Sequence, residues 1–315
     1  MYKNNTISVV LTAHNEETQI VKTIKNLPDF VDKIIVVNDA SKDKTSEIVE
    51  QEIKSNDKLF LINHEKNQGV GGAVSSGIKW SRDNDIDIAV KMDGDGQMEP
   101  TDMHNLLDAI IEKGGDFAKG NRLLSSDVRQ VMPKFRLFAS QVLSLLTKIA
   151  SGYWHVLDPQ CGYFAINKKG LDRIDWEKLH KRYGQPNDLL VRCNVANLIV
   201  KDVDIKPLYH VGEKSGIRYG TLIFTLSWLL FKDFLWRMKE KYIVHDFHPL
   251  VFFYFLGAAF GVFTVALSIR LFYIWWIGGE IPPINALAAM FTFLGMSLFI
   301  LFAMWFDMSS NQDLK

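Results

Sequence analysis

Cysteine is scarce in this chain: two among 315 residues, Cys161 and Cys193, far apart and without metal-ligand spacing. A disulfide framework and a thiolate metal cluster are thereby excluded, and a reducing compartment fits. Charge of one sign is also lacking, because Lys plus Arg total 36 and Asp plus Glu total 36. A nucleic-acid protein normally carries a basic excess over a domain, so nucleic acid is not an expected partner. The chain has no internal repeat, no low-complexity tract and no proline-rich linker. No signal peptide is expected, since the apolar run Ile7 to Leu11 is far too short for an h-region.

Apolar residues are plentiful. With 48% hydrophobic and 12% aromatic residues the chain is not disordered. A mean hydropathy of +0.01 hides an asymmetry. Up to about Ile243 the sequence reads as a soluble protein, but Leu250 to Ile269 and Ile284 to Phe306 carry no Asp, Glu, Lys or Arg. As helices, runs of this length span about 30 Å, the thickness of a hydrocarbon core. Core helices of a soluble protein rarely stay apolar on every face for so long. Trp275, Trp276 and Trp305 lie near the ends, as interfacial aromatics do. A transmembrane hairpin follows. Lys232, Arg237, Lys239 and Lys241 precede it, whereas the connecting loop holds only Arg270 and Glu280. The positive-inside bias then puts both termini in the cytoplasm.

Before the hairpin, short β-branched runs alternate with helical patterns. Ile7 to Leu11, Lys33 to Val37 and Ile86 to Met92 read as strands. Glu16 to Leu27, Lys44 to Ser55 and Gly72 to Asp83 read as helices. Such alternation implies βαβ units and a mainly parallel sheet, with ligands at the carboxyl ends of its strands. Three polar clusters fall at those ends: Thr12 to Glu16, Asn38 to Ser41 and Asp93 to Gln97. Two later segments, Val131 to Ile149 and Leu222 to Tyr242, read as amphipathic helices. Each can pack on the domain or lie in a membrane interface.

Asp93-x-Asp95-x-Gln97 carries the strongest chemical signal. Two carboxylates two apart at a strand end aim their oxygens at one small volume. Mg²⁺ or Mn²⁺ suits such oxygens, and Mg²⁺ usually takes one or two carboxylates plus substrate phosphates. A metal there neutralises a diphosphate leaving group. Taken alone, an Asp-Gly pair of this kind is more often a surface turn. Asn67-x-Gly69-x-Gly71-Gly72-Ala73 is a glycine-rich turn entering a helix. It reads equally as a phosphate-approaching loop or as a tight loop with close helix packing, and its spacing is not that of a dinucleotide fingerprint.

Together these residues resemble the family 2 glycosyltransferases with the GT-A fold, and more narrowly the polyprenyl- or dolichyl-phosphate hexose synthases. The resemblance covers roughly Ser8 to Ser215 and the hairpin. Asn15 and Glu16 match the opening motif of that family, without its Pro and Tyr. Asn38-Asp39-Ala40-Ser41 stands at its Asp-Asp-Gly-Ser, so that Asp39 takes the base-contacting position. Asp93, Asp95 and Gln97 complete its Asp-x-Asp-x-Gln. Gly120-Asn121-Arg122 is similar to a Gly-Ser-Arg whose arginine meets phosphate. Arg136 and Ser140 match an Arg-x-x-x-Ser that receives the acceptor phosphate, and four apart they share a helix face. Asp158 to Tyr163 resembles Asp-x-x-Ser-Gly-Phe, with Cys161 at the serine. Glu213-Lys214-Ser215 resembles a later motif whose arginine is here Tyr209, and Asn187-Asp188 matches loosely the Glu-Asp base of sugar-extending relatives. No Arg-Trp pair of processive polymerases occurs.

The resemblance implies an α/β protein: a GT-A domain over residues 1–216, a juxtamembrane amphipathic helix over 217–247 and a transmembrane hairpin with a short tail over 248–315. It implies metal-dependent, inverting transfer of one hexose from a UDP- or GDP-sugar to a polyprenyl or dolichyl phosphate at the cytoplasmic membrane face. In that reading Ala13, Asn15, Glu16, Val37, Asp39, Asp93 and Gly94 bind the nucleotide sugar. Asp93, Asp95 and Gln97 hold Mg²⁺ or Mn²⁺; Arg122, Arg136 and Ser140 hold the acceptor phosphate; Asp95, Asp158 and Arg122 are catalytic. Membrane lipid is a partner, and a homo-oligomer is compatible with the sequence. Two alternatives stay open. One is a sugar hydroxyl as acceptor, with Asp188 as base; the other is a non-catalytic nucleotide-sugar-binding membrane subunit.

Overall fold

The computed structural model describes residues 1–122, 134–206 and 219–315, and the side chains of all of these except 134–139 and 219–223. Tyr209, Glu213, Lys214 and Ser215 lie outside the described residues, as does the side chain of Arg136. The chain divides into two compact units, one of Met1–Phe234 with Asp313–Lys315 and one of Leu235–Gln312.

The first unit is built on the alternation seen in the sequence. Strand β1 (Ile7–Ala13), helix α1 (Ile20–Lys25), β2 (Lys33–Asn38), α2 (Thr45–Ile53), β3 (Leu59–Asn63), α3 (Val70–Asp83) and β4 (Ile88–Asp93) follow in order. After β4 come α4 (Met103–Ile111), β5 (Phe117–Asn121), α5 (Lys134–Ser151), β6 (Phe164–Asn167), α6 (Lys168–Arg173), α7 (Gln185–Val195) and β7 (Val200–Asp204). Helix α8 (Tyr219–Lys239) begins in this unit and ends in the second.

The seven described strands share one sheet, in the order β3-β2-β1-β4-β6-β5-β7. Among these strands only β6 runs against its neighbours; their other pairings are parallel. Every β1 residue is buried, because helices cover both faces of a parallel sheet. One apolar layer joins β1 to α1 and α4, and the other joins Val10, Ile35 and Val37 to α3 and α7. Gly77 lets α3 come close to the sheet: a Cβ there would sit 2.2 Å from Val10 Cγ1.

From β1 the chain winds outward through β2 and β3 and then returns to place β4 on the other side of β1. That reversal makes a crevice at the carboxyl ends of β1 and β4, where ligands bind in open α/β sheets. Thr12 and Asp93 are register partners across it.

In the second unit, α9 (Leu250–Trp276) and α10 (Pro283–Ser310) are long and apolar enough to cross a membrane. Only 11% and 6% of their most apolar windows are buried, so they lack the protein cover of a soluble core helix. They pair antiparallel. Phe253 meets Phe306 while Phe260 meets Phe291, and a Cβ at Gly257 would sit 2.9 Å from Ile300 Cγ1. Close approach through small residues is how apolar helices gain contact where no hydrophobic force separates protein from lipid.

Candidate active site

Asp93 ends β4 and is fixed from two sides. Its Oδ1 accepts from Thr12 Oγ1 on β1 (2.9 Å) and from Lys91 Nζ (2.6 Å), two residues back on the same face of β4. Lys91 is almost wholly buried and balances the Asp93 charge where water cannot. The next residues turn tightly. Gly94 N–H donates to Thr12 O (2.9 Å), and a Cβ on Gly94 would lie 3.1 Å from that oxygen. Gly96 takes φ +75°, where glycine alone is unstrained, and Gln97 N–H donates to Asp95 Oδ1 (2.9 Å). The turn thus holds Asp93, Asp95 and Gln97 together at the crevice.

Two clefts meet at this turn. The first, of about 250 Å³, is lined by Thr12, Ala13, His14, Glu16, Asp39, Asn67 and Asp93 to Asp95, among others. The second, of about 460 Å³, is lined by Lys91, Asp93, Gln97, Arg122, Gln160, Gly162, Gln185 and Lys206, among others. Asp93, Val70 and Tyr183 belong to both.

At the far end of the first cleft Asp39 is buried and heavily engaged. Its carboxylate meets His64 Nδ1 (2.8 Å) and accepts from the N–H groups of Gln68 (2.8 Å) and Gly69 (2.7 Å). The N–H groups of Gly71 and Gly72 donate to Lys181 O. Of the two readings of the glycine-rich turn, the structure therefore shows the tight loop: its amides are already used within the protein. A Cβ on Gly71 would lie 2.0 Å from His180 O, which explains the glycine.

Arg122 follows β5 and faces the second cleft. Asp158 sits behind it and accepts from Arg122 Nε (2.8 Å) and Nη2 (3.2 Å). Burial alone would raise the Asp158 pKa; the Arg122 charge and hydrogen bonds outweigh it and hold the carboxyl below its usual range. Beneath the same turn the buried Lys119 donates to Cys161 O, and burial pushes the Lys119 pKa down. Burial likewise raises the Cys161 pKa, which makes that thiol unreactive.

Of the residues singled out in the sequence, Ala13, Glu16, Asp39, Asp93, Gly94 and Asp95 line the first cleft, and Asp93, Gln97 and Arg122 line the second. Val37, Asn15, Asp158 and Ser140 line neither cleft. Val37 is wholly buried in the apolar layer under α3. Asn15, at φ +60°, instead ties the two loops together, its N–H donating to Ser41 Oγ and its Oδ1 accepting from Lys42 N–H. Asp158 reaches the cleft only through Arg122. Ser140 lies half-buried on α5. Asp188 is buried at the start of α7, where its Oδ2 accepts from His180 N–H (2.7 Å) and Arg192 Nε (2.9 Å). It lines neither cleft and holds the loop before α7 in place.

Lys91, His64 and Lys119 were not singled out in the sequence. Lys91 had a signal: a lysine in the otherwise apolar run Ile88 to Met92, two residues before a carboxylate.

The donor set fits a hard divalent cation. Asp93 and Asp95 line the first cleft and Asp93 and Gln97 the second, so one short turn offers two carboxylates and a carboxamide oxygen. Among the described residues no group of three His, Cys, Asp or Glu side chains could hold an ion alone. Phosphate oxygens of a ligand would have to complete the shell.

Comparison with known proteins agrees with this geometry. The family model of Glycosyl transferase family 2 matches residues 8–175. A UDP-N-acetylglucosamine–dolichyl-phosphate N-acetylglucosaminyltransferase of Methanococcus voltae is 33% identical over 69% of this chain and 93% of its own. An undecaprenyl-phosphate mannosyltransferase of Micrococcus luteus is 27% identical over 67% and 85%. Among solved structures, glucosyl-3-phosphoglycerate synthase from Mycobacterium tuberculosis with Mn²⁺, UDP and product superposes with a TM-score of 0.54. It is 20% identical and covers 74% of this chain and 80% of its own. The chain belongs to glycosyl transferase family 2. It is a glycosyltransferase with a GT-A-like α/β fold and two apolar carboxyl-terminal helices.

Proposed function

We propose that this protein transfers one hexose from a UDP- or GDP-sugar to a polyprenyl or dolichyl phosphate at the cytoplasmic face of a membrane. The observation that carries the reading is the Asp93–Asp95–Gln97 turn at the junction of two clefts, in a chain that ends in an apolar hairpin. A long isoprenoid tail leaves the bilayer only at about 0.8 kcal/mol per CH₂, so the enzyme must go to it. Relatives acting on dolichyl and undecaprenyl phosphate support this acceptor.

In this proposal the nucleotide lies in the first cleft, along Ala13, Glu16, Asp39 and Gly94, and the diphosphate reaches Asp93 and Asp95. Mg²⁺ or Mn²⁺ held by Asp93, Asp95 and Gln97 supplies charge neutralisation to the leaving diphosphate. An acceptor phosphate oxygen attacks the anomeric carbon as the bond from that carbon to the diphosphate oxygen breaks. The nucleoside diphosphate departs and the configuration inverts. With a second phosphate pKa of about 6 the nucleophile is anionic at neutral pH and needs little help from a base. Arg122, with Arg136 and Ser140 on α5, holds the acceptor phosphate. Asp158 keeps the guanidinium fork aimed. The buried, paired Asp188 favours this acceptor over a sugar hydroxyl, which would need a base at the cleft.

The test is an assay of detergent-purified protein with polyprenyl phosphate, Mg²⁺ or Mn²⁺ and a panel of UDP- and GDP-sugars. One hexose added to the lipid phosphate, and lost with Asp95→Asn, is the expected result. Turnover on a lipid-linked sugar but not on polyprenyl phosphate would overturn the acceptor assignment. Nucleotide-sugar binding without release of nucleoside diphosphate would revive the non-catalytic reading.

A further inference from the structure

The second cleft contains two side chains that the reaction as described leaves idle. Gln185, first residue of α7 and 1% exposed, lines it, and its Nε2 is buried with no hydrogen-bond partner. Gln160, in the turn between Asp158 and Gly162, lines it too, and its Nε2 is also buried without a partner. A buried amide N–H left unsatisfied costs about 1–3 kcal/mol, so such groups are rare unless a ligand completes them. Two residues with such groups lining one cleft, from different elements, point to a ligand with acceptor oxygens.

The charges around them narrow its chemistry. Lys91 is neutralised by Asp93, and Arg122 by Asp158. Beside these pairs the two carboxamides add uncharged donors, which suit the hydroxyls of a sugar ring, while the acceptor phosphate is left to Arg122. Position narrows it further. With the diphosphate at Asp93, the group beyond it enters the cleft that shares Asp93 with the first, and that group is the sugar.

We propose that Gln160 and Gln185 recognise the transferred hexose, donating hydrogen bonds to its hydroxyl or acetamido oxygens and so setting which sugar is accepted. The assignment rests on the donor-binding reading above. A site built to hydrogen-bond a substrate group discriminates strongly against sugars lacking that group, because its own donors are then left unpaired.

The test compares the affinity of the full-length protein in detergent, with Mn²⁺, for nucleotide sugars and for the matching nucleoside diphosphates. Gln185→Met and Gln160→Met keep side-chain length and remove the amide. Each should lower nucleotide-sugar affinity about three- to tenfold, the worth of one hydrogen bond, and leave the nucleoside diphosphate unchanged. Their kcat/KM ratios across a panel of hexoses should converge. Equal weakening of both ligands would give the glutamines a purely structural role and overturn the proposal, as would unchanged sugar affinity in both variants. Gln160 is only half-buried, so its variant decides the matter if Gln185→Met does not fold. A wild-type protein that binds nucleoside diphosphate but gains nothing from the sugar overturns this assignment alone. One that binds no nucleoside diphosphate overturns the proposed function with it.

Discussion

Arg122 meets Asp158 as a planar fork against a carboxylate, with a half-exposed guanidinium and a buried acid. An acid held this far toward its ionised form is a poor base but a good anchor. Asp158→Asn keeps the shape and removes the charge, so Arg122 should lose its fixed orientation while the nucleotide cleft stays intact. The expected result is a KM for polyprenyl phosphate raised about tenfold, the size of one charge-assisted hydrogen bond, with nucleoside diphosphate affinity unchanged. Initial rates with each substrate varied in turn check it; an equal rise in both KM values would place Asp158 elsewhere in the reaction. Asp93, Asp95 and Gln97 were legible in the sequence because they are neighbours in it and close a strand. Asp158 was legible as a residue but not as the partner of Arg122, because the two are brought together by strands from distant parts of the chain. His64, fixed against Asp39 by the return of β3, was hidden for the same reason.

At the scale of elements, the second unit holds a buried polar network that apolar patterning does not disclose. Arg237 Nη1 and Nη2 donate to Asp307 Oδ1 and Oδ2, both at 2.8 Å, and both side chains are 0% exposed. Tyr242 OH donates to the same Asp307 Oδ1 (2.6 Å), and Lys241 Nζ donates to Asn311 Oδ1 (2.8 Å). The network ties the end of α8 and the π-helical turn Glu240–His245 to the end of α10. Arg237, counted from the sequence among the cations flanking the hairpin, thus has its charge cancelled by Asp307. Removing one partner of a buried pair leaves a bare charge and costs about 3–5 kcal/mol, whereas replacing both by apolar groups is often neutral. Asp307→Leu alone should therefore lower the melting temperature in detergent sharply, and adding Arg237→Met should recover much of the loss. A double variant as unstable as the sum of the two singles would mean the pair does not act as a unit. The hairpin helices themselves were legible because an uncharged run is visible without knowing its partner. Strands β5 and β7 were not, since Phe117–Asn121 and Val200–Asp204 carry Lys, Asp and Gly and owe their place to neighbouring strands.

Over the whole molecule, equal numbers of acids and bases hide groups that resist their own charge, and these set how stability follows pH. Burial, followed by the nearby Asp188 charge, pushes the Asp233 pKa up to about 7. Between the ordinary carboxylate range and pH 7 the folded protein then binds a proton that the unfolded chain has lost, so stability falls as pH rises through this window. Lys241 behaves in the opposite sense. Burial, then the Arg237 charge, pulls its pKa down to about 7 against a weaker opposing effect of Asp307. From pH 7 to the ordinary lysine range the unfolded chain holds the extra proton, so stability rises with pH. Each group contributes a slope of at most about 1.4 kcal/mol per pH unit, and the two windows meet near pH 7. Together they give a shallow minimum there, on top of the acid loss expected once Asp158 and Asp116, both held below their usual range, are protonated. Melting temperatures of the detergent-solubilised protein from pH 5 to 9 check this, with one variant for each side of the minimum. Asp233→Asn should flatten the acid side and leave the alkaline rise, and Lys241→Met should do the reverse. If both variants keep the wild-type curve, the minimum does not come from these two side chains.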